Sequence, residues 1–414
     1  MNEAKQKFCL TGLERAWILY DVGNSAFVLL VATLIPIFFN ALAEGGGLSS
    51  VEYLAYWGYA ASAVTVITAV LSPILGTLAD TRNFKKPIFT FCVAVGVIGC
   101  CAMGMASTWL PFLLIFIFAK VGFSGSLVFY DSMLSDVTVP DRMDEVSSKG
   151  YAWGYIGSCV PFVVCLALVL GAGSIGISQM TALNLALFIT AAWWLVTTLP
   201  LLRQYKQVHF VEVQEHAIRQ SFVRIGHTLR HLKEDRQVFW FLLAFFCYID
   251  GVYTIIDMAT AYGTALGLDT TGLLLALLVT QIVAFPSALV FGRLSGQYPS
   301  GTLIPVCIAA YAGIALFAFF LKHQWQFWVL AVVVGMFQGG IQALSRSHFA
   351  KIIPPEKSGE YFGLFDICGK GASFLGTMIV SVGSQLTGSA NVGVGSLIVL
   401  FIVGFVLFRV SDRK

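Results

Sequence analysis

The chain has 414 residues, of which 57% are hydrophobic and only 11% charged, against roughly 25% charged in an ordinary soluble domain. So few charges cannot cover the surface of a core this size, which excludes a water-soluble fold and points to about a dozen membrane spans of roughly 20 residues each. A net charge of +3, from 25 basic and 22 acidic residues, is far from the basic stripe that phosphate contacts require and argues against nucleic acid as a partner.

Apolar runs broken by charge, Gly or Pro predict helices near residues 16–41, 53–79, 87–107, 110–136, 149–171, 179–201, 237–263, 272–296, 302–321, 325–348, 359–386 and 391–408. The expected fold class is therefore all-α, with twelve membrane spans. The first run has full spanning length and no A-x-A cleavage site, so it reads as a retained anchor. On it, Asp21 lies a few residues inside the membrane, as a capping or gate residue near Arg346, and Asn24 follows as a hydrogen-bonding candidate. Between spans two and three runs 76-GTLADTRNFKKP-87. This loop resembles the signature loop of the major facilitator superfamily, in which a Gly lets helices approach and an acid with basic residues latches one side. Carried over, that gives Gly76, Asp80, Arg82, Lys85 and Lys86, with Arg346, as a cytoplasmic gate. The plainer alternative is a cation-rich loop with a turn Gly.

Span four carries Lys120 and, eleven residues on, Asp131 near the same face. A separation of about 16 Å along the helix means each needs a partner elsewhere. On span five, Trp153 and Tyr155 are candidate hydrogen-bonding or stacking groups. The polar stretch 202–236 is the longest of its kind, expected as a basic cytoplasmic linker forming an amphipathic helix between six-helix bundles at 1–201 and 237–414. Its four histidines (His209, His216, His227, His231) allow a metal site as the sharper reading, but no carboxylate or Cys joins them at ligand spacing, and a solvated helix explains them. No metal and no cofactor are expected.

On span seven, Asp250 and Asp257 are seven apart, suggesting an aqueous vestibule or a proton site. The loop 292-GRLSGQYPSG-301 repeats Gly292 and Arg293 but has Gly296 where an acid would fall, a degraded second latch. Gln338 and Gln342 on span ten could bind a solute, and on span eleven Asp366 and Lys370 form an i,i+4 pair that is either self-neutralising or in contact with solute. Buried ionisable groups cost a few kcal/mol each and mark function by default. The run 363-GLFDICGKG-371 only mimics a phosphate loop, with five residues between its glycines instead of four and Gly371 where a Ser or Thr would hold magnesium. No hydrolase motif is present, so the chain does not read as an enzyme.

Of the 25 basic residues, 22 fall on the side of the termini, with Lys322 opposite and Lys120 and Lys370 within the membrane, which places both ends in the cytoplasm. The halves repeat weakly in parallel, Tyr20-Asp21 answering Tyr248 and Asp250, as expected of a rocking carrier with its site between the halves.

Four stretches, 17-WILYDVGNSAF-27, 129-FYDSMLSDVTVP-140, 338-QGGIQALSRSHFAKIIP-354 and 360-EYFGLFDICGKGASFLG-376, carry a finer resemblance. The chain resembles the major facilitator family that includes the autophagy-related vacuolar amino-acid effluxers of fungi and their bacterial relatives. Val22, Gly23, Asp131 and Ser135 depart from that pattern. The resemblance implies a carrier of a small solute such as an amino acid, with efflux as the expected direction, and the buried acids Asp250 and Asp131 make protons the expected coupling ion. The short external loops and the lack of an Asn-x-Ser/Thr sequon point to a bacterial inner membrane, with the lipid bilayer as surroundings and a monomer as the expected state. An exporter of lipophilic compounds or lipids, and a non-transporting receptor or scaffold, stay open as alternatives.

Overall fold

The computed structural model describes residues 9–212, 230, 232 and 235–412; the side chains of a few helical residues, Lys370 among them, lie outside that description. Span one consists of two helices, Gly12–Ala32 and Leu34–Gly45. It starts at a capping box in which Thr11 and Glu14 exchange hydrogen bonds, and it breaks at Thr33, where Pro36 has no N–H for the Ala32 carbonyl. Spans two to six are Ser50–Ala79, Lys85–Met103, Trp109–Ser132, Pro140–Leu170 and Gln179–Gln204. Spans seven to eleven are Arg236–Ala265, Thr270–Leu294, Ser300–Phe319, Gln324–Ile352 and Ser358–Thr387. Span twelve is split into Ala390–Gly395 and Ile398–Ser411.

Among the described residues, eleven of these stretches are long and apolar enough to cross a membrane. The twelfth, span eleven, is the one that holds Asp366 and Lys370. Phe91, Phe118 and Ile98 stand 67–68% exposed on the outer face. An apolar surface of this kind suits lipid, where every backbone group must be paired within a helix.

Each half packs around aromatic rings. In the first, Trp17 stacks on Tyr130 at 4.3 Å and Phe27 on Trp194 at 5.4 Å. In the second, Phe245 stacks on Phe365 at 3.9 Å. The repeat expected from Tyr20 and Tyr248 takes physical form: Tyr20 Oη donates to Ser126 Oγ between spans one and four, and Tyr248 Oη pairs with Ser345 Oγ between spans seven and ten, both at 2.6 Å.

The halves meet where span two crosses eleven and span five crosses eight and ten. Gly76 and Gly359 face each other so closely that a Cβ built on Gly359 would lie 2.5 Å from the Gly76 carbonyl oxygen. At the pseudo-symmetric crossing, a Cβ on Gly292 would lie 2.8 Å from Ser148 Cβ. The second loop thus keeps the close approach although it lost the acid.

Two boundaries differ from expectation. Span five begins at Pro140 rather than near 149. Pro at the first turn is pre-set for helix, and residues 141–149 are too polar to register as membrane helix, Asp144 and Ser147 among them bonding to the other half. Residues 205–212 of the linker are extended, not helical: Val211 pairs with Thr81, exchanging backbone hydrogen bonds with Asp80 and Arg82. The amphipathic-helix expectation, with His216, His227 and His231, falls outside the described residues.

Candidate functional site

Three clusters of polar contact join the halves on the side that bears the termini. At the centre is Arg346 of span ten, 2% exposed. Sequence counting places it among loop cations, but it lies within the helix. Its Nε donates to Ser147 Oγ at 2.9 Å, its Nη2 to the Ser147 carbonyl at 3.0 Å and its Nη1 to Asp131 Oδ1 at 3.0 Å. Asp21 Oδ2 lies 3.4 Å from Nη2. The guanidinium also sits over the rings of Tyr151 at 4.3 Å and Trp17 at 4.7 Å. One cation of the second half therefore holds two carboxylates and lies over three aromatic rings of the first, Tyr130 at 5.4 Å being the third. A planar fork with five donors meets this geometry, and an ammonium would not. Asn24 turns to its own helix, donating to the Tyr20 carbonyl and toward Asp21 Oδ1.

The second cluster is the loop after span two. Asp80 is fully buried and accepts from the backbone N–H of Gly359 at 2.7 Å and of Glu360 at 2.8 Å. A carboxylate of one half thus caps the N-terminus of span eleven in the other, where orphan N–H groups and the helix dipole favour negative charge. Lys85, also buried, lies 3.7 Å from Asp80 and donates to Ser358 Oγ at 2.8 Å. Burial pushes the Asp80 carboxyl up to about 6, against the opposing pull of Lys85 and the two backbone donors. An Asp released into water titrates near 4, so closure takes up a proton between about pH 4 and 6, and acidification through that window favours the closed state. A spin-label distance across this face should shorten from about pH 7 to pH 5, and Asp80→Asn should remove that response. A distance in the unsubstituted chain that ignores pH counts against the assignment.

In the third cluster, Asp144 accepts from Ser347 Oγ and from Lys351 Nζ, both at 2.6 Å. Arg82 and Lys86, expected in the gate, are placed differently. Arg82 is exposed, pairs with Glu212 at 3.4 Å and lies over Phe210, all within the linker contact, and among the described residues Lys86 makes no hydrogen bond or ion pair across the halves. The linker closes on Asp136, which accepts from Tyr205 Oη at 2.5 Å and from the His209 N–H at 2.9 Å, with Lys85 3.8 Å away.

Toward the membrane centre, Tyr253 of span seven lies within electrostatic reach of Asp131, Asp257, Asp366 and Arg346. Asp257 is exposed and feels the charge of Lys120 across the halves, while Lys120 Nζ sits 4.8 Å from the Phe123 ring. Asp366 accepts from Ser72 Oγ at 2.8 Å, and Tyr155 Oη donates to Gln342 at 3.1 Å. Gln338 is buried beside a cavity between spans seven, eight and ten. Trp153 is 46% exposed against Phe285, away from these groups. Asp250 parts from Asp257: it is fully buried and turned to span eleven. The Lys370 side chain falls outside the described residues. Among those residues, no group of three His, Cys, Asp or Glu side chains is placed to hold a metal ion.

Sequence reading missed Asp144, Ser147 and Tyr151. Their spacing of three and four along one helix face was the available signal, lost because Asp144 and Ser147 were read as loop and Tyr151 stood alone near the start of the expected span.

Twelve spans in two repeated bundles, joined by buried charge at one end, define a transporter of the major facilitator superfamily. The profile described as "Vacuole effluxer Atg22 like" matches residues 13–139 and 135–414, and the chain belongs to that family. It is 42% identical over 402 residues to the MFS-type transporter YxiO of Bacillus subtilis (strain 168), covering 96% of this chain and 94% of that one. Autophagy-related protein 22 of Coccidioides immitis (strain RS) is 26% identical over 315 residues, 65% of this chain and 51% of its own length. The crystal structure of the transporter FucP in its outward conformation superposes with a TM-score of 0.72 at 16% identity, over 97% of this chain and 98% of that one. That likeness speaks to fold alone. Membership makes the chain a multi-pass membrane transporter of a small solute and not an enzyme.

Proposed function

We propose that the chain is a secondary active carrier that exports an amino acid or a similar small organic ion across a bacterial inner membrane, coupled to protons, by rocking its two halves. Both termini would face the cytoplasm, so the three clusters form the cytoplasmic gate, here closed. The observation that carries this is the Arg346 cluster. A buried cation of one half bound to two acids of the other is stable only while the halves touch on that side, and it separates into water-accessible groups when they part. Asp257, Lys120, Asp366 and Tyr253 supply both signs of charge at mid-depth, which suits a solute carrying an ammonium and a carboxylate. The family's description as vacuole effluxer supports a carrier that moves solute out of a compartment.

Purified protein in liposomes loaded with labelled amino acids tests this. Release should accelerate when the opposite compartment is made acidic, the sense of an antiporter. Release that ignores an imposed pH gradient removes proton coupling, and no release of any amino acid removes that solute class.

A further inference from the structure

We propose that Asp250 is the proton-binding carboxylate of this carrier, taking its proton on Oδ2 while Oδ1 stays tied to the backbone of span eleven; this rests on the carrier reading above. Asp250 sits at the middle of span seven and is fully buried. Its Oδ1 accepts from the Gly376 N–H at 2.8 Å and from Thr254 Oγ1 at 3.4 Å. Its Oδ2 is buried with no hydrogen-bond partner among the described residues. An ionised carboxylate offers about four lone-pair sites and needs them met, and one left with a bare oxygen in a dry interior is costly. Protonation at Oδ2 removes the charge and leaves the Oδ1 contacts intact.

Among the described residues, the groups facing it supply no cation. On its own helix these are Cys247 and Thr254. Span eleven presents the Gly376 backbone, with Cys368 and Asp366 further toward the termini side. Span twelve places Phe401 beside Gly251, and span nine places Tyr311 against Phe401. Asp131, the rival acid, differs in kind: it holds Arg346 at 3.0 Å, so its charge is met without a proton while the gate is closed.

The position also offers a route and a lever. Thr254, whose hydroxyl donates to Asp250, lines a small apolar cavity together with Met258 and Tyr262, on the side away from the Arg346 cluster. A hydronium ion on that side gives its proton to Oδ2, its own O–H bond breaking to leave water as the carboxyl O–H bond forms, and the same proton leaves to water on the opposite face after the halves rock. The lever is Gly376: a Cβ there would lie 2.6 Å from Asp250 Oδ1, so spans seven and eleven touch at backbone distance. A charge appearing on Asp250 tightens its hold on the Gly376 N–H, and span eleven also carries Asp366 and the Gly359 crossing.

Infrared difference spectra of the full chain in lipid nanodiscs, titrated with hydrogen ion alone, read the site without any solute. A carboxylic-acid carbonyl band should be lost on alkalinisation, be missing in Asp250→Asn and persist in Asp131→Asn. Thr254→Val, which removes a donor to the ionised form, should move the loss to higher pH, and it decides the matter if Asp250→Asn does not fold. No titrating band, a band that survives in Asp250→Asn, or a midpoint unmoved in Thr254→Val overturns the proposal. In liposomes a pH difference of one unit should support about tenfold solute accumulation, lost in Asp250→Asn. Absence of flux in the unsubstituted chain would sink the carrier reading, while the infrared titration would still decide whether Asp250 binds a proton.

Discussion

Arg346→Met is expected to reduce flux by at least about 100-fold and to lower the thermal stability of the purified protein. The substitution removes every hydrogen bond from the guanidinium to Ser147, Asp131 and Asp21 and leaves two carboxylates together, Asp21 being 5% exposed. Breaking a buried ion pair by deleting one partner costs about 3–5 kcal/mol, which biases the halves apart on the termini side by more than two orders of magnitude. A carrier held open on one face cannot cycle. Arg346→Lys should fall between, since an ammonium can satisfy one acid but cannot fork between both and stack on Tyr151. Adding Asp21→Asn and Asp131→Asn to Arg346→Met should recover stability, because neutral replacement of a whole buried charge cluster is often harmless, without recovering flux. Thermal unfolding and exchange in liposomes measure the two quantities separately. Flux within about twofold of the unsubstituted chain would show that the cluster is not a gate.

Gly359→Val is expected to open the same face by a different cause. A Cβ at this position would lie 2.5 Å from the Gly76 carbonyl oxygen and 2.8 Å from Asp80 Oδ1. The first of these is backbone and cannot swing away, so spans two and eleven must part, and the Asp80 cap on span eleven is lost with them. Spin labels at Arg82 and Glu356, both exposed and on opposite halves, should read a longer distance in Gly359→Val. The background for this measurement replaces the nine native cysteines. Gly313→Ala on span nine is the control, because a Cβ there meets nothing within 4 Å. It should leave the distance unchanged while adding helix propensity of about 1 kcal/mol. An unchanged distance in Gly359→Val would mean that the crossing tolerates separation without opening the gate.

The twelve spans were legible in the sequence because lipid imposes long uncharged helices, and hydropathy reads that directly. Asp21 and Arg346 could be paired on paper from their depth at the same face. Gly76 and Asp80 could be placed in a latch by resemblance, but their partners Gly359 and Glu360 are backbone donors, which no side-chain pattern announces. Asp144 and Ser147 stayed hidden because a polar helix at a protein–protein junction looks like a loop to any scale built on lipid. Asp250 and Asp257 share a helical face by arithmetic, yet one is buried against Gly376 and the other exposed. Helical phase gives direction around one helix, whereas burial depends on which neighbour stands there and how near its backbone comes.

The claim that flux requires the Arg346 face to open is tested most directly by tethering it shut. With cysteines at Arg82 and Glu356 in the cysteine-free background, a reducible cross-linker should stop amino-acid exchange in liposomes, and reduction should restore it. Exchange that continues undiminished in fully cross-linked protein would contradict the account.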